Sequence, residues 1–207
     1  MSKLFLLDFD ETLFNTTLFK KDLTNFLAIK YSIDFFKDYD NYKNEYGAYD
    51  YFTHILHLTK KKNKEELLND FYKFFEDKNY EFDDVQAFLR RYAKDELVIL
   101  TVAIDNFQNM KINICPNIKN LKRMIILKNK AEFIKQNIIY KNRKLYFHQL
   151  NQEYDEIIFI EDQPKFLILK KIKNFFQFRM KRPGTKYYNN ETPDNITEIK
   201  TLEEINV

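Results

Sequence analysis

The chain's first apolar run, Leu4-Phe5-Leu6-Leu7, is followed at once by Asp8-Phe9-Asp10-Glu11-Thr12. Three carboxylates and a hydroxyl thus fall within five residues. Chemistry-bearing side chains follow three more apolar runs. Thr101 closes Leu97-Val98-Ile99-Leu100, Lys128 and Lys130 follow Met124-Ile125-Ile126-Leu127, and Glu161-Asp162 follow Ile157-Ile158-Phe159-Ile160. Paired carboxylates can divide nucleophilic and acid–base work, and a lysine with a hydroxyl can hold an anion. Carboxylates this dense repel one another unless a hard cation neutralises them, and Mg²⁺ with oxygen ligands suits them.

Composition removes the competing routes to phosphate chemistry. Only two glycines, Gly47 and Gly184, occur in 207 residues, where average usage would supply about 14. No P-loop, G-x-G-x-x-G or kinase-type glycine loop can be written into the chain. The single cysteine, Cys115, excludes a disulfide framework and fits a reducing compartment. With 34 basic and 31 acidic residues the surface is mixed, so nucleic-acid binding is not required by charge. The opening apolar run is too short for a signal peptide, and no stretch is long enough to span a bilayer. The expectation is a cytoplasmic protein without a membrane partner.

Continuous apolar runs, as opposed to alternating ones, mark strands buried on both faces. Four are those above and a fifth is Phe175-Phe176-Gln177-Phe178. Helix-like stretches at 84–94, 105–111, 130–139 and 164–171 lie between them. Alternating strand and helix predicts an α/β fold with a doubly wound, parallel, Rossmann-like sheet. Such a sheet binds ligands beyond the carboxyl ends of its strands, which is where the acids, Thr101 and the lysines fall. Residues 16–83 read as helix only, with Leu23, Phe26 and Leu27 and then Leu67, Leu68, Phe71, Phe74 and Phe75 at helical spacing. This predicts two units: an α/β core of residues 1–15 and 84–207, and an inserted helical unit of 16–83. The tail, 183–207, is expected to wrap the surface.

In this context Asp8-x-Asp10-x-Thr12-Leu13-x-Asn15-Thr16 resembles the first motif of the haloacid dehalogenase-like hydrolase superfamily. Leu100-Thr101 resembles its second motif, Lys130 before Ala131-Glu132-Phe133-Ile134 its third, and Ile160-Glu161-Asp162 its fourth. The helical insertion falls where that family's type-1 cap falls. The resemblance implies that Asp8 is a nucleophile forming an aspartyl phosphate and that Asp10 is the acid and base. It implies that Thr101 and Lys130 bind the phosphoryl group, and that Asp8, the Asp10 carbonyl and Asp162 hold Mg²⁺. Thr12 and Glu161 would support them. The acid at Asp10 distinguishes phosphatases and phosphomutases from dehalogenases in the superfamily. Two features depart from its commonest pattern: Glu11 stands where many members have glycine, and Lys165 and Phe166 stand where a second motif-four acid often lies. Lys128 competes for the third-motif role; Lys130 is favoured because it begins a helix.

The expected activity is Mg²⁺-dependent hydrolysis of a small phosphorylated metabolite. The alternatives are phosphotransfer or mutase chemistry through the same aspartyl phosphate, a non-catalytic binding module on the same scaffold, and a phosphatase of nucleic-acid ends. His54 and His57 are read as ordinary residues of the insertion, Lys60-Lys61-Lys62-Asn63-Lys64 as a solvated loop, and Phe107-Gln108 as structural. The basic stretch Lys170, Lys171, Lys173, Arg179, Lys181 and Arg182 is read as a surface face.

Overall fold

A computed structural model describes residues 1–43, 48–59, 63–168 and 171–206, and the counts of elements refer to those. Strands β1 (Lys3–Leu7), β2 (Leu97–Val102), β3 (Lys122–Ile126), β7 (Glu156–Glu161), β8 (Phe175–Met180) and β9 (Thr197–Ile199) form one sheet. Its order is β3-β2-β1-β7-β8-β9, and every pairing in it is parallel. The apolar runs follow from its two covered faces. In β1, Phe5 and Leu7 join one apolar cluster and Leu4 and Leu6 the other; Leu97 and Ile99 of β2 oppose Val98 and Leu100 in the same way. A strand packed on both sides has no position at which a polar residue is free.

One face is covered by α4 (Val85–Leu89), α5 (Asp105–Asn113) and three helices lying between β1 and β2: α1 (Thr16–Tyr31), α2 (Tyr51–Thr59) and α3 (Lys64–Phe75). Phe19, Phe26, Phe71 and Phe75 of these helices belong to the same apolar cluster as Phe5 and Ile158 of the sheet. The chain enters and leaves this helical segment through paired stems, with Asn15 N–H donating to Tyr80 O at 2.7 Å and Phe82 N–H to Leu13 O at 3.1 Å. No described helix is long and apolar enough to cross a membrane.

Four expectations are corrected. The helix expected at 130–139 ends at Asn137 (α6, Lys130–Asn137), and Ile138 opens an antiparallel sheet of β4 (Ile138–Lys141), β5 (Lys144–Phe147) and β6 (Gln152–Tyr154). Its hairpin turns on Asn142 and Arg143, both at positive φ, which suits the twist of a two-residue hairpin loop. The helix expected at 164–171 is a single 3₁₀ turn, Pro164–Phe166, with 169 and 170 outside the described residues. The helix expected at 84–94 shortens to α4. The tail does not merely wrap the surface: β9 extends the sheet, and Leu202 and Ile205 are fully buried. Those two side chains join the apolar cluster that contains Phe5, Leu7 and Phe88.

Candidate active site at the strand ends

Register assembles the site. Leu7 pairs with Ile99 on one side and Ile160 on the other, so the residues just beyond them meet at one end of the central strands. Asp8 N–H donates to Ile160 O at 2.9 Å, which carries β1 one residue further along β7 and fixes the nucleophile candidate beside Glu161.

Asp8 is buried, and each of its carboxylate oxygens has a partner. Thr12 Oγ1 donates to Oδ2 at 2.9 Å and Lys130 Nζ donates to Oδ1. Lys130 Nζ also donates to Glu161 Oε2 at 2.6 Å, while Gln163 N–H donates to Glu161 Oε1 at 2.9 Å. Burial disfavours the charge on Lys130, but Asp8 and Glu161 more than compensate and raise its pKa. Burial, reinforced by Glu161 and opposed by Lys130, pushes the Asp8 carboxyl up to about 7. Asn129 caps α6 by accepting from Ala131 and Glu132 N–H, which sets Lys130 as the first helical residue, aimed at the strand ends. Lys128 is exposed and stands over the Phe133 ring, so of the two lysines Lys130 is the one brought to the carboxylates.

Asp162 completes this group. It is buried, yet neither carboxylate oxygen has a hydrogen-bond partner among the described residues. Burial first, then Asp8 and Glu161, raise its pKa well above the usual carboxylate range. Ligand atoms of Asp8, Glu161 and Asp162 lie within 4.8 Å of one another. Both oxygens of Asp8 and both of Glu161 are engaged, so Asp162 is the carboxylate of this group whose oxygens are left to face a cation. A buried carboxylate with no donor is costly, and a hard cation is the group that would satisfy it.

Asp10 is set differently. Its Oδ1 accepts from Thr16 Oγ1 at 2.6 Å and from Lys111 Nζ at 2.5 Å, and its Oδ2 accepts from Gln108 Nε2 at 2.9 Å. Burial opposes the charge, but Lys111 with the two hydrogen bonds holds the carboxyl below its usual value. Gln108 Nε2 also donates to Thr101 Oγ1 at 2.8 Å, tying the candidate phosphate-binding hydroxyl to Asp10. Gln108, read from the sequence as structural, is thus brought to the candidate site, as is Lys111, which the sequence reading did not single out. The available signal was spacing: 107, 108 and 111 share one face of α5, and a glutamine and lysine there are both buried.

The loop bearing these acids is braced from below. Arg182 donates to Thr12 O from Nε at 3.0 Å and Nη2 at 2.9 Å, and to Asp84 Oδ1 at 2.8 Å. Asp84 also accepts from Leu202 N–H at 2.6 Å. Arg179 is fully buried and donates to Asn190 O, Thr192 Oγ1 and Tyr187 O. Neither arginine belongs to a surface face; Lys171 and Lys173 are exposed as expected, and Lys170 lies outside the described residues. Glu11 has φ 60°, the left-handed region that favours glycine, and is nonetheless buried. The histidines are accounted for by packing: His54 bonds Tyr49 OH and Lys37 O, both at 2.6 Å, and His57 meets Tyr42 OH. Lys60, Lys61 and Lys62 lie outside the described residues.

Asp10, Gln108, Lys111 and Asp162 open onto a cleft of about 370 Å³ between the strand ends and the helical segment. Its far wall is formed by Phe19, Lys20 and Leu23 of α1 together with Phe35, Tyr39 and Tyr49.

No protein-family model matches the chain, and neither does any curated protein. Solved structures do match over nearly its whole length. A protein described as a haloacid dehalogenase-like hydrolase, from Burkholderia xenovorans, aligns with 100% of this chain and 99% of its own at TM-score 0.69 and 15% identity. The chain has the haloacid dehalogenase-like fold. Other structures with this fold are the hydrolase YfnB from Bacillus subtilis bound to magnesium (TM-score 0.56, 15% identity, 98% and 96% covered) and CbbY from Rhodobacter sphaeroides in complex with xylulose-(1,5)bisphosphate (TM-score 0.57, 10% identity, 99% and 96% covered).

Proposed function

We propose that this chain is a Mg²⁺-dependent phosphatase of small phosphomonoesters, acting through an aspartyl phosphate on Asp8, with residues 16–83 as its cap. The observation that carries the reading is Asp162, a buried carboxylate whose two oxygens have no hydrogen-bond donor among the described residues, beside an Asp8 held by Thr12 and Lys130. The donor set is hard oxygen, which fits Mg²⁺. Asp8, Asp162 and the Asp10 carbonyl would hold it, and bound there it would shield phosphoryl charge and favour the ionised form of Asp8. The likeness to a magnesium-bound hydrolase and to a protein holding a sugar bisphosphate supports both the metal and a small phosphorylated metabolite. A chain with a single cysteine, buried at Cys115, is in keeping with a cytoplasmic setting.

In the proposed sequence Asp8 attacks phosphorus, and the bond to the leaving oxygen breaks as Asp10 gives that oxygen its proton. Asp10 then takes a proton from water, whose oxygen attacks the aspartyl phosphate, releasing inorganic phosphate and restoring Asp8. Lys130 and the Thr101–Gln108 pair bind phosphoryl oxygens and need no rearrangement to do so, because Glu161, Asp10 and α5 already hold them. Lys111 keeps Asp10 ionised in the free protein, so proton loading of Asp10 accompanies the arrival of the phosphoryl group, which competes for the Lys111 charge. Phosphotransfer to a sugar is the alternative fate of the same intermediate, and the likeness to a structure described as a β-phosphoglucomutase from Thermotoga maritima (TM-score 0.51) favours keeping it in the test. The test is hydrolysis of p-nitrophenyl phosphate with Mg²⁺ or with EDTA, with inorganic phosphate and transfer products both measured. Turnover that needs Mg²⁺ is expected, and full activity in EDTA would overturn the reading.

A further inference from the structure

Residues 181–196, between β8 and β9, form neither helix nor strand, yet part of this stretch walls the cleft. The half-buried Tyr187 lines it together with Gln163 and Phe166, which follow the motif-four acids. A connection this long without regular structure is uncommon in a compact fold unless it serves a site. Its backbone carbonyls have no sheet ladder to join, and those withdrawn from water need donors from elsewhere. Arg179 of β8 supplies them. Its Nη1 donates to Asn190 O at 2.6 Å and to Thr192 Oγ1 at 2.7 Å, and its Nη2 donates to Tyr187 O at 2.6 Å. Thr192 Oγ1 in turn donates to Glu198 of β9. One guanidinium thus spans the loop from Tyr187 to Thr192 and pins the carbonyl of the residue that faces the cleft.

Stability alone is a poor reason for an arginine here. Its side chain is fully buried, the carboxylate of Glu198 comes no nearer than 3.9 Å, and Nε has no partner among the described residues. A buried cation answered mainly by neutral oxygens is unfavourable. What a guanidinium offers in return is a planar fork that fixes several acceptors at once, which a flexible ammonium does not. Register sets Arg179 opposite Glu161, so the clamp stands on the strand pair that carries the motif-four acids. We propose that Arg179 is a positioning residue that fixes the 187–192 loop as a wall of the cleft, and that Tyr187 is where this wall meets the organic part of the substrate. The rings of Phe166 and Tyr187 both line the cleft, so a flat or apolar group suits that position. This rests on the phosphatase reading for the phosphoryl end, but the wall is a binding property and can be measured without turnover.

The test has two arms, each run on the full chain as wild type, Tyr187→Ala, Arg179→Lys and the double variant. In the binding arm, calorimetry compares phenylphosphonate with methylphosphonate, which differ in the ring and have no ester bond to hydrolyse. Tyr187→Ala should weaken phenylphosphonate about fivefold and leave methylphosphonate unchanged. Arg179→Lys keeps the positive charge and gives up the fork, so it should show the same selective loss. The double variant should lose no more than Tyr187→Ala alone, because the arginine acts through the tyrosine. Equal weakening of both ligands, unaltered phenylphosphonate binding in Arg179→Lys, or additive losses would overturn the proposal. In the kinetic arm, both single variants should raise KM for p-nitrophenyl phosphate about fivefold at unchanged kcat. A lower kcat at unchanged KM would overturn it, since a loop that only stabilises the fold gives that result. A selective loss of phenylphosphonate in a protein that turns nothing over would uphold the wall and reject the phosphatase reading; turnover with no selective loss would do the reverse.

Discussion

Asp8 and Asp10 stand two residues apart on one loop and have opposite electrostatic surroundings. Asp8 is sealed among Glu161, Asp162 and a single lysine, so burial and neighbouring acids push its carboxyl up to about 7. Asp10, at the cleft, accepts from Lys111, Thr16 and Gln108 and is held below the normal range. Pairs of titratable groups driven apart in this way are the usual signature of divided labour. On the proposed reading, the side with too little positive charge would take the cation, and Asp10, with Lys111 against it, would exchange protons with the cleft.

The comparison breaks first at Asp8. Asp8→Asn preserves shape and removes the attacking oxygen, so turnover should fall by at least about 10³-fold, measured as phosphate release under saturating Mg²⁺. Residual activity near wild type would show that the sealed carboxylate is not the nucleophile. Asp10→Asn removes proton transfer but leaves the nucleophile, and should cost about 10²-fold, with the smallest loss on p-nitrophenyl phosphate, whose leaving group needs no proton. The contrast between leaving groups sharpens the assignment: an equal loss on alkyl and aryl esters would remove Asp10 from protonation of the leaving group and leave it the base of the hydrolytic step alone.

Lys111 tests the charge difference itself. Removing the lysine removes the principal cause that lowers the Asp10 pKa. In Lys111→Met the Asp10 carboxyl should therefore titrate at higher pH, followed by carbon-13 NMR of the side-chain carboxyl in the free protein. An unmoved titration with a lower rate would mean that Lys111 binds substrate and does not set Asp10.

What was legible beforehand follows the same division. Asp8, Asp10, Thr101, Lys130 and Asp162 were legible because a parallel strand buried on both faces is written as an unbroken apolar run, and the chemistry comes directly after it. Gln108 and Lys111 were not, because α5 is mostly polar and its inward face cannot be told from its outward face without the cleft beside it. Arg179 and Arg182 looked like solvated bases; their burial depends on the tail returning as β9, and the tail's apolar residues, Ile199, Leu202 and Ile205, are too sparse to announce a strand. The β4–β6 sheet was missed because Ile138 continues the helical spacing of α6, and only the Asn142–Arg143 turn marks the change of period.

Glu11 gives the smallest effect and the finest test of how the loop is built. Its φ of 60° costs a residue with a Cβ about 1 kcal/mol. One of its carboxylate oxygens accepts from Thr17 Oγ1 at 2.7 Å, while the other is buried without a partner, and burial raises its pKa. The turn itself is held by the backbone: Glu11 N–H donates to Phe14 O at 2.8 Å and Arg182 holds the Thr12 carbonyl, neither of which needs the Glu11 side chain. Glu11→Gly should therefore stabilise the protein by about 1 kcal/mol in denaturant unfolding, since strain and an unsatisfied acid are removed and one hydrogen bond is lost. Stabilisation without loss of turnover would mean that Glu11 is a tolerated departure from glycine. Stabilisation with reduced kcat would mean that its carboxylate, facing the cleft beside Asp10, takes part in setting the charge difference between the two aspartates.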